Sequence, residues 1–88
     1  MGTALMAAVM SGKNSIVKKL IVNKADLNKE DTQGKTALIY ATFFNKNEIA
    51  RTLINAGCDK KLKDQEGRAA LDYAKFNKNT ELIILLDN

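Results

Sequence analysis

Thr3-Ala4-Leu5, Thr36-Ala37-Leu38 and Ala69-Ala70-Leu71 are nearly one tripeptide met three times, at intervals of 33 residues. The same interval separates Ala8, Ala41 and Ala74, and again Leu20, Leu53 and Leu86. Asp26 with Asp59, Asp31 with Asp64, and Gly34 with Gly67 repeat the step in the connecting segments. A period of this size marks a stacked array, in which each unit is one supersecondary motif that cannot bury its hydrophobic face alone. With 88 residues the chain has room for about two and a half to three units, so a single domain over 1–88 with a modest core is expected.

The second unit shows what is repeated. Asp31-Thr32-Gln33-Gly34 reads as a turn, since Gly34 takes positive φ at no steric cost and Asp31 can accept from the amides that follow it. Thr36 is a natural N-cap, and a helix from Ala37 to Phe44 puts small or apolar residues 37, 38 and 41 on one face. Asn45-Lys46-Asn47 breaks that helix. A second helix is expected from Glu48 to Ala56 with Ile49, Leu53 and Ile54 as its buried stripe, ended by Gly57. The fold class is therefore all-α, built from helix-turn-helix units.

These residues resemble the ankyrin-repeat family, whose period is 33 and whose signature is T-P-L-H-x-A. The signature stands here as TALMAA, TALIYA and AALDYA, and ADLNKEDTQGKT is similar to the family's finger loop. The resemblance implies a short solenoid with a first repeat lacking its finger (2–23), a second (24–56) and a third (57–88). Alanine replaces the family's proline in all three units. Met6, Ile39 and Asp72 replace its histidine and forfeit that residue's bonds to neighbouring loops, and Lys24 stands where glycine is usual. A correct fold of reduced stability is expected.

Composition excludes several function classes. The chain has no histidine, so the commonest general base and the usual zinc ligand sets are missing. The repeated aspartates are explained by turns, the glycines form no phosphate loop, and Cys58 reads as an inert, semi-buried thiol. Neither an enzyme nor a cofactor, metal or small-molecule substrate is expected. No run approaches the roughly 20 apolar residues of a membrane span. The opening MGTALMAAVM has no charged leader region and Met6 does not fit a myristoylation signal, which makes the cytoplasm the default expectation. The net charge of +4 includes a cluster at Lys60, Lys61 and Lys63, but Asp59, Asp64 and Glu66 interrupt it, and this argues against nucleic acid.

What remains is binding to another protein. The resemblance puts two columns, Met10/Phe43/Phe76 and Ser11/Phe44/Asn77, on the concave groove where partners of such proteins are contacted. It adds the finger positions Thr32, Gln33, Lys35, Gln65, Glu66 and Arg68. All three phenylalanines of the chain fall in those columns. They form an apolar ladder with Met10, or they fold back over the small alanines, and Phe44 can instead pair with Tyr40 four residues earlier. Tyr40 and Tyr73 are assigned to the core. A rival use of the surface is self-association into a homo-oligomer or a longer array. Ile84 and Leu85 stand where the earlier units have Lys18 and Lys19, then Arg51 and Thr52, so the outer face of the last unit is expected to be apolar.

Overall fold

The computed structural model describes residues 3–87; Met1, Gly2 and Asn88, at the ends of the expected first and third repeats, lie outside them. The described residues form six helices and no strand: α1 (Ala4–Met10), α2 (Asn14–Val22), α3 (Ala37–Phe43), α4 (Asn47–Asn55), α5 (Ala70–Phe76) and α6 (Thr80–Leu86). Helices α1, α3 and α5 pack in succession as an inner layer, and α2, α4 and α6 as an outer one.

The inner helices begin where the sequence supplies a cap. Thr3 and Thr36 are extended residues whose hydroxyls accept from the amides of Met6 (3.1 Å) and Ile39 (3.2 Å). Ala69 has no such oxygen, and Asp72 compensates from inside the helix by accepting the Ala69 amide hydrogen at 2.9 Å. Its negative charge then lies in the first turn of α5, where the helix dipole favours it.

The helix ends differ slightly from expectation. Helix α3 stops at Phe43 and α4 runs from Asn47 to Asn55, one residue ahead of the expected span. A Schellman closure is the reason. Asn45 takes φ 57, its N–H donates to Thr42 O (3.1 Å), and the Lys46 N–H reaches back to Ala41 O (2.7 Å). Lys24 closes α2 in the same way at φ 63, a conformation that its counterpart Gly57 adopts without a Cβ penalty.

Stacking builds the core. Ala8, Ala41 and Ala74 are buried in the inner layer, where small side chains let helices approach. Leu38, Leu53, Leu82 and Val17 fill the space between layers. The finger loops stack too: the Gln65 amide donates to Gln33 O (3.0 Å), and the Asp59 amide to Asn28 Oδ1 (2.7 Å).

The outer face expected to be apolar is corrected in one respect. Lys18, Arg51 and Ile84 are exposed in all three units, so this column faces solvent even where neighbours stack on both sides and does not belong to the end face. Leu85 is half-buried against the core. The end face itself carries Asp72 and Lys75, both exposed.

Glycine is needed for different reasons in the two fingers. Both Gly34 and Gly67 have positive φ, but a Cβ on Gly34 would stand 3.0 Å from Gln65 N and 3.1 Å from Asp64 Cα, whereas one on Gly67 would meet nothing within 4 Å. Gly67→Ala should cost about 1 to 2 kcal/mol of left-handed strain. Gly34→Ala should cost clearly more in urea unfolding, because the backbone of the next finger must move; equal losses would contradict this packing.

Candidate functional site

Each finger is held by one aspartate. Asp31 Oδ1 accepts from the amides of Gln33 and Lys35, both at 2.9 Å, and Asp64 Oδ1 accepts from Glu66 (2.9 Å) and Arg68 (3.0 Å). The other oxygen of each carboxylate accepts from a phenol nine residues on, Tyr40 for Asp31 and Tyr73 for Asp64. The finger is thereby tied to the inner helix that follows it. Lys35 Nζ adds a contact of 3.7 Å to the buried Asp64 carboxylate, joining consecutive fingers.

The electrostatics follow from those bonds. Burial alone would push both carboxyls up, but the phenol, the two amides and the Lys35 ammonium outweigh it and hold Asp31 and Asp64 below the ordinary aspartate value. The bond to Asp31, with partial burial, pushes Tyr40 up to about 12; burial and then the bond to Asp64 raise Tyr73. Cys58 is buried, and the loss of solvation pushes its thiol up to about 11, so it is neutral at pH 7.

Beside the fingers lies an aromatic cluster. Phe43 meets Tyr73 edge to face with ring centroids 5.6 Å apart, and meets Phe44 in the same manner at 5.0 Å. Phe44 also lies parallel to Tyr40 at 6.4 Å, as the alternative of ring pairing anticipated. Phe43, Tyr73 and Phe76, with Arg68 and Asp72, line a pocket of about 400 Å³. Phe76 is 82% exposed there and Phe43 44%.

The expected contact residues thus separate into groups. Phe43, Phe76 and Arg68 meet in this pocket, while Gln33, Lys35, Gln65 and Glu66 surround a second of about 240 Å³ between the fingers. Met10 is exposed at the end of α1 and lines neither. Several of the others carry structural bonds. Thr32 gives its carbonyl to Gln65 Nε2 (2.7 Å), Arg68 pairs with Glu66 (3.1 Å), and Asn77 donates to Thr42 O (3.3 Å) and Phe43 O (3.1 Å), closing the end of α3. Lys60, Lys61 and Lys63 border a separate hollow with Leu71 and Leu86 at the end of the stack. Tyr73 and Asp72 are pocket residues that sequence reasoning left out; the repeated nine-residue step from aspartate to tyrosine was a usable signal for the first.

Three helix pairs, two stacked fingers and their closures agree with the comparison to protein families, which matches residues 3–88 to ankyrin repeats in three copies. The chain belongs to the ankyrin-repeat family. Ankyrin repeats are generally protein–protein interaction modules and typically non-catalytic. No curated protein matches the chain in sequence. No helix among the described residues is long and apolar enough to cross a membrane.

The finger lock makes a pH prediction for this ankyrin domain. A depressed aspartate contributes its full stability above about pH 4 and loses it as the pH falls through the folded value; a raised tyrosine contributes below about pH 10 and loses it on the alkaline side. Tyr73→Phe removes the donor to a buried carboxylate and should cost about 1.5 to 3 kcal/mol at neutral pH. It should also move acid unfolding to higher pH, as followed by circular dichroism, and an unchanged acid transition would contradict the lock.

Proposed function

We propose that this ankyrin-repeat chain recognises a partner protein on its concave face, with Phe43 and Phe76 as anchors and the fingers as a polar rim. The observation that carries the reading is the pair of exposed rings flanking one pocket over Tyr73, with the Arg68 side chain beside them. Covering an exposed aromatic ring gains about 1.5 to 3 kcal/mol, and interfaces concentrate their energy in aromatic and arginine anchors. Thr32, Gln33, Lys35, Gln65, Glu66 and Arg68 would supply orientation more than energy, because their side chains or carbonyls already hold the fingers together. Phe44, Met10 and Asn77 would serve as the groove's border.

The test is capture from a lysate of the source cells with wild type and the double variant Phe43→Ser, Phe76→Ser as parallel baits, helicity being checked for both. A protein retained by wild type and lost at least about a hundredfold by the variant is the expected result. Equal capture by both would overturn the concave-face reading.

A second reading, self-association, is favoured by one observation: Ile84 is 64% exposed in a column otherwise occupied by Lys18 and Arg51. If copies associate there through Ile84 and Leu85, mass in sedimentation should rise with concentration and the rise should vanish in Ile84→Lys or Leu85→Lys. A chain that stays monomeric at all concentrations would remove this reading.

A further inference from the structure

Phe43 and Phe44 belong to the repeat that has a neighbour on each side, yet they are 44% and 46% exposed. Their exposure is a property of the face that runs along the stack and does not come from either end of the chain. The repeat register puts Met10, Phe43 and Phe76 at the last residue of α1, α3 and α5. Inner helices packed side by side stand about 8 to 10 Å apart, so these three side chains form rungs at roughly that spacing.

A lysine follows each rung. Lys13, Lys46 and Lys78 lie in the turns that close α1, α3 and α5. The stretches 10–15, 43–47 and 75–80 contain these three and Lys75, and no Asp or Glu. Lys46 Nζ lies 3.3 Å from where a Cβ on Gly12 would stand, so its ammonium follows the row of turns toward the first repeat. Among the described residues Lys13, Lys46 and Lys78 enter no ion pair. The next carboxylates in sequence, Glu48 and Glu81, are on the outer helices, where Glu81 already accepts from Arg51 and from Asn47 Nδ2 (3.3 Å).

The opposite border is different. At the other end of the inner helices the fingers hold cations and carboxylates together, Arg68 with Glu66 and Lys35 beside Asp64, with the uncharged Gln33 and Gln65 between them. The apolar rungs therefore run beside a basic border on one side only. The distance between the borders is the length of a seven-residue helix, about 10 Å.

We infer that the occupant of this face is a partner helix with a row of carboxylates along one flank of its apolar stripe. The inference rests on the concave-face reading and adds the chemistry of the partner. A helix suits the spacing, because residues seven apart share a face and lie about 10 Å apart, so apolar side chains at that interval meet successive rungs. Carboxylates on one flank suit the turn lysines; on the other flank they would face Glu66 and gain nothing.

The experiment is an NMR titration of the full chain with three synthetic helical peptides. All carry leucine at every seventh residue of one face, and one flank of that face holds glutamate, glutamine or lysine. The expected result is saturable shifts centred on Met10, Phe43, Phe44 and the turn lysines. The glutamate peptide should bind at least about tenfold tighter than the glutamine one and the lysine peptide weakest, with the differences shrinking as salt is raised. Lys13→Glu with Lys46→Glu should reverse that order, the amide spectrum reporting the fold of the variant. Phe43→Ser with Phe76→Ser should abolish binding of all three. Equal binding of the three peptides at Phe43 and Phe44, or binding indifferent to salt, overturns the acidic flank and leaves the concave-face reading standing. Shifts confined to the outer helices, or binding undiminished by the ring substitutions, overturn both. The inference also falls if the glutamate peptide shows no saturable binding, or if the chain ignores the peptides and sediments with phosphatidylserine vesicles, which would assign the rings and lysines to an anionic bilayer.

Discussion

No helix pair in this chain can bury its own apolar faces, and the burial of Ala41, Leu38 and Ile39 exists only because α1 lies on one side of α3 and α5 on the other. Stability is therefore a property of the interfaces between repeats, shared along one axis. The polar bonds obey the same arrangement. Asn79 reaches back to Asn45 and Asn47, Gln65 to Gln33, and the Lys35 ammonium forward to Asp64, so the hydrogen-bonded surface is continuous across the boundary that the apolar core crosses.

Within that stack the fingers gain rigidity from the aspartate shared between backbone and phenol. A loop held only by its own turn would present its side chains in many orientations. Here the carboxylate fixes the turn with one oxygen and the inner helix with the other. It also places Tyr73 under Phe43, so the residue that anchors the second finger is the floor of the aromatic pocket.

The architecture was legible because its cause is periodic: a step of 33 residues shared by apolar, turn and capping positions leaves few other folds open. Helix ends were legible to within a residue, since the Schellman closure at Asn45 needs positive φ that Asn tolerates less visibly than Gly. The site was legible in part. Column counting brought Phe43, Phe76 and Arg68 to one region, but it could not tell that the Asn77 amide is spent on α3 or that Lys35 sits beside a buried carboxylate. Those facts depend on side-chain direction across a repeat boundary, which spacing alone does not carry. Ile84 was misjudged for a related reason. An apolar residue replacing Lys18 and Arg51 looks like an end-face residue until the middle repeat reveals that its column is exposed anyway.

That same comparison shows what each end of the stack presents to solvent. The third repeat meets solvent with Asp72, whose carboxylate also caps α5, and with Lys75, beside Leu71 and Ile83, which are only half-buried where their counterparts in the earlier repeats are fully buried. The first repeat offers Ile16 and two alanines at the equivalent boundary, a composition that lowers no free energy in water. Exposed apolar residues are ordinary when scattered, but these belong to columns that the rest of the stack keeps dry. The aromatic pocket and this face are carried on different repeats, the pocket between the second and third and the face on the first, so they share no side chain.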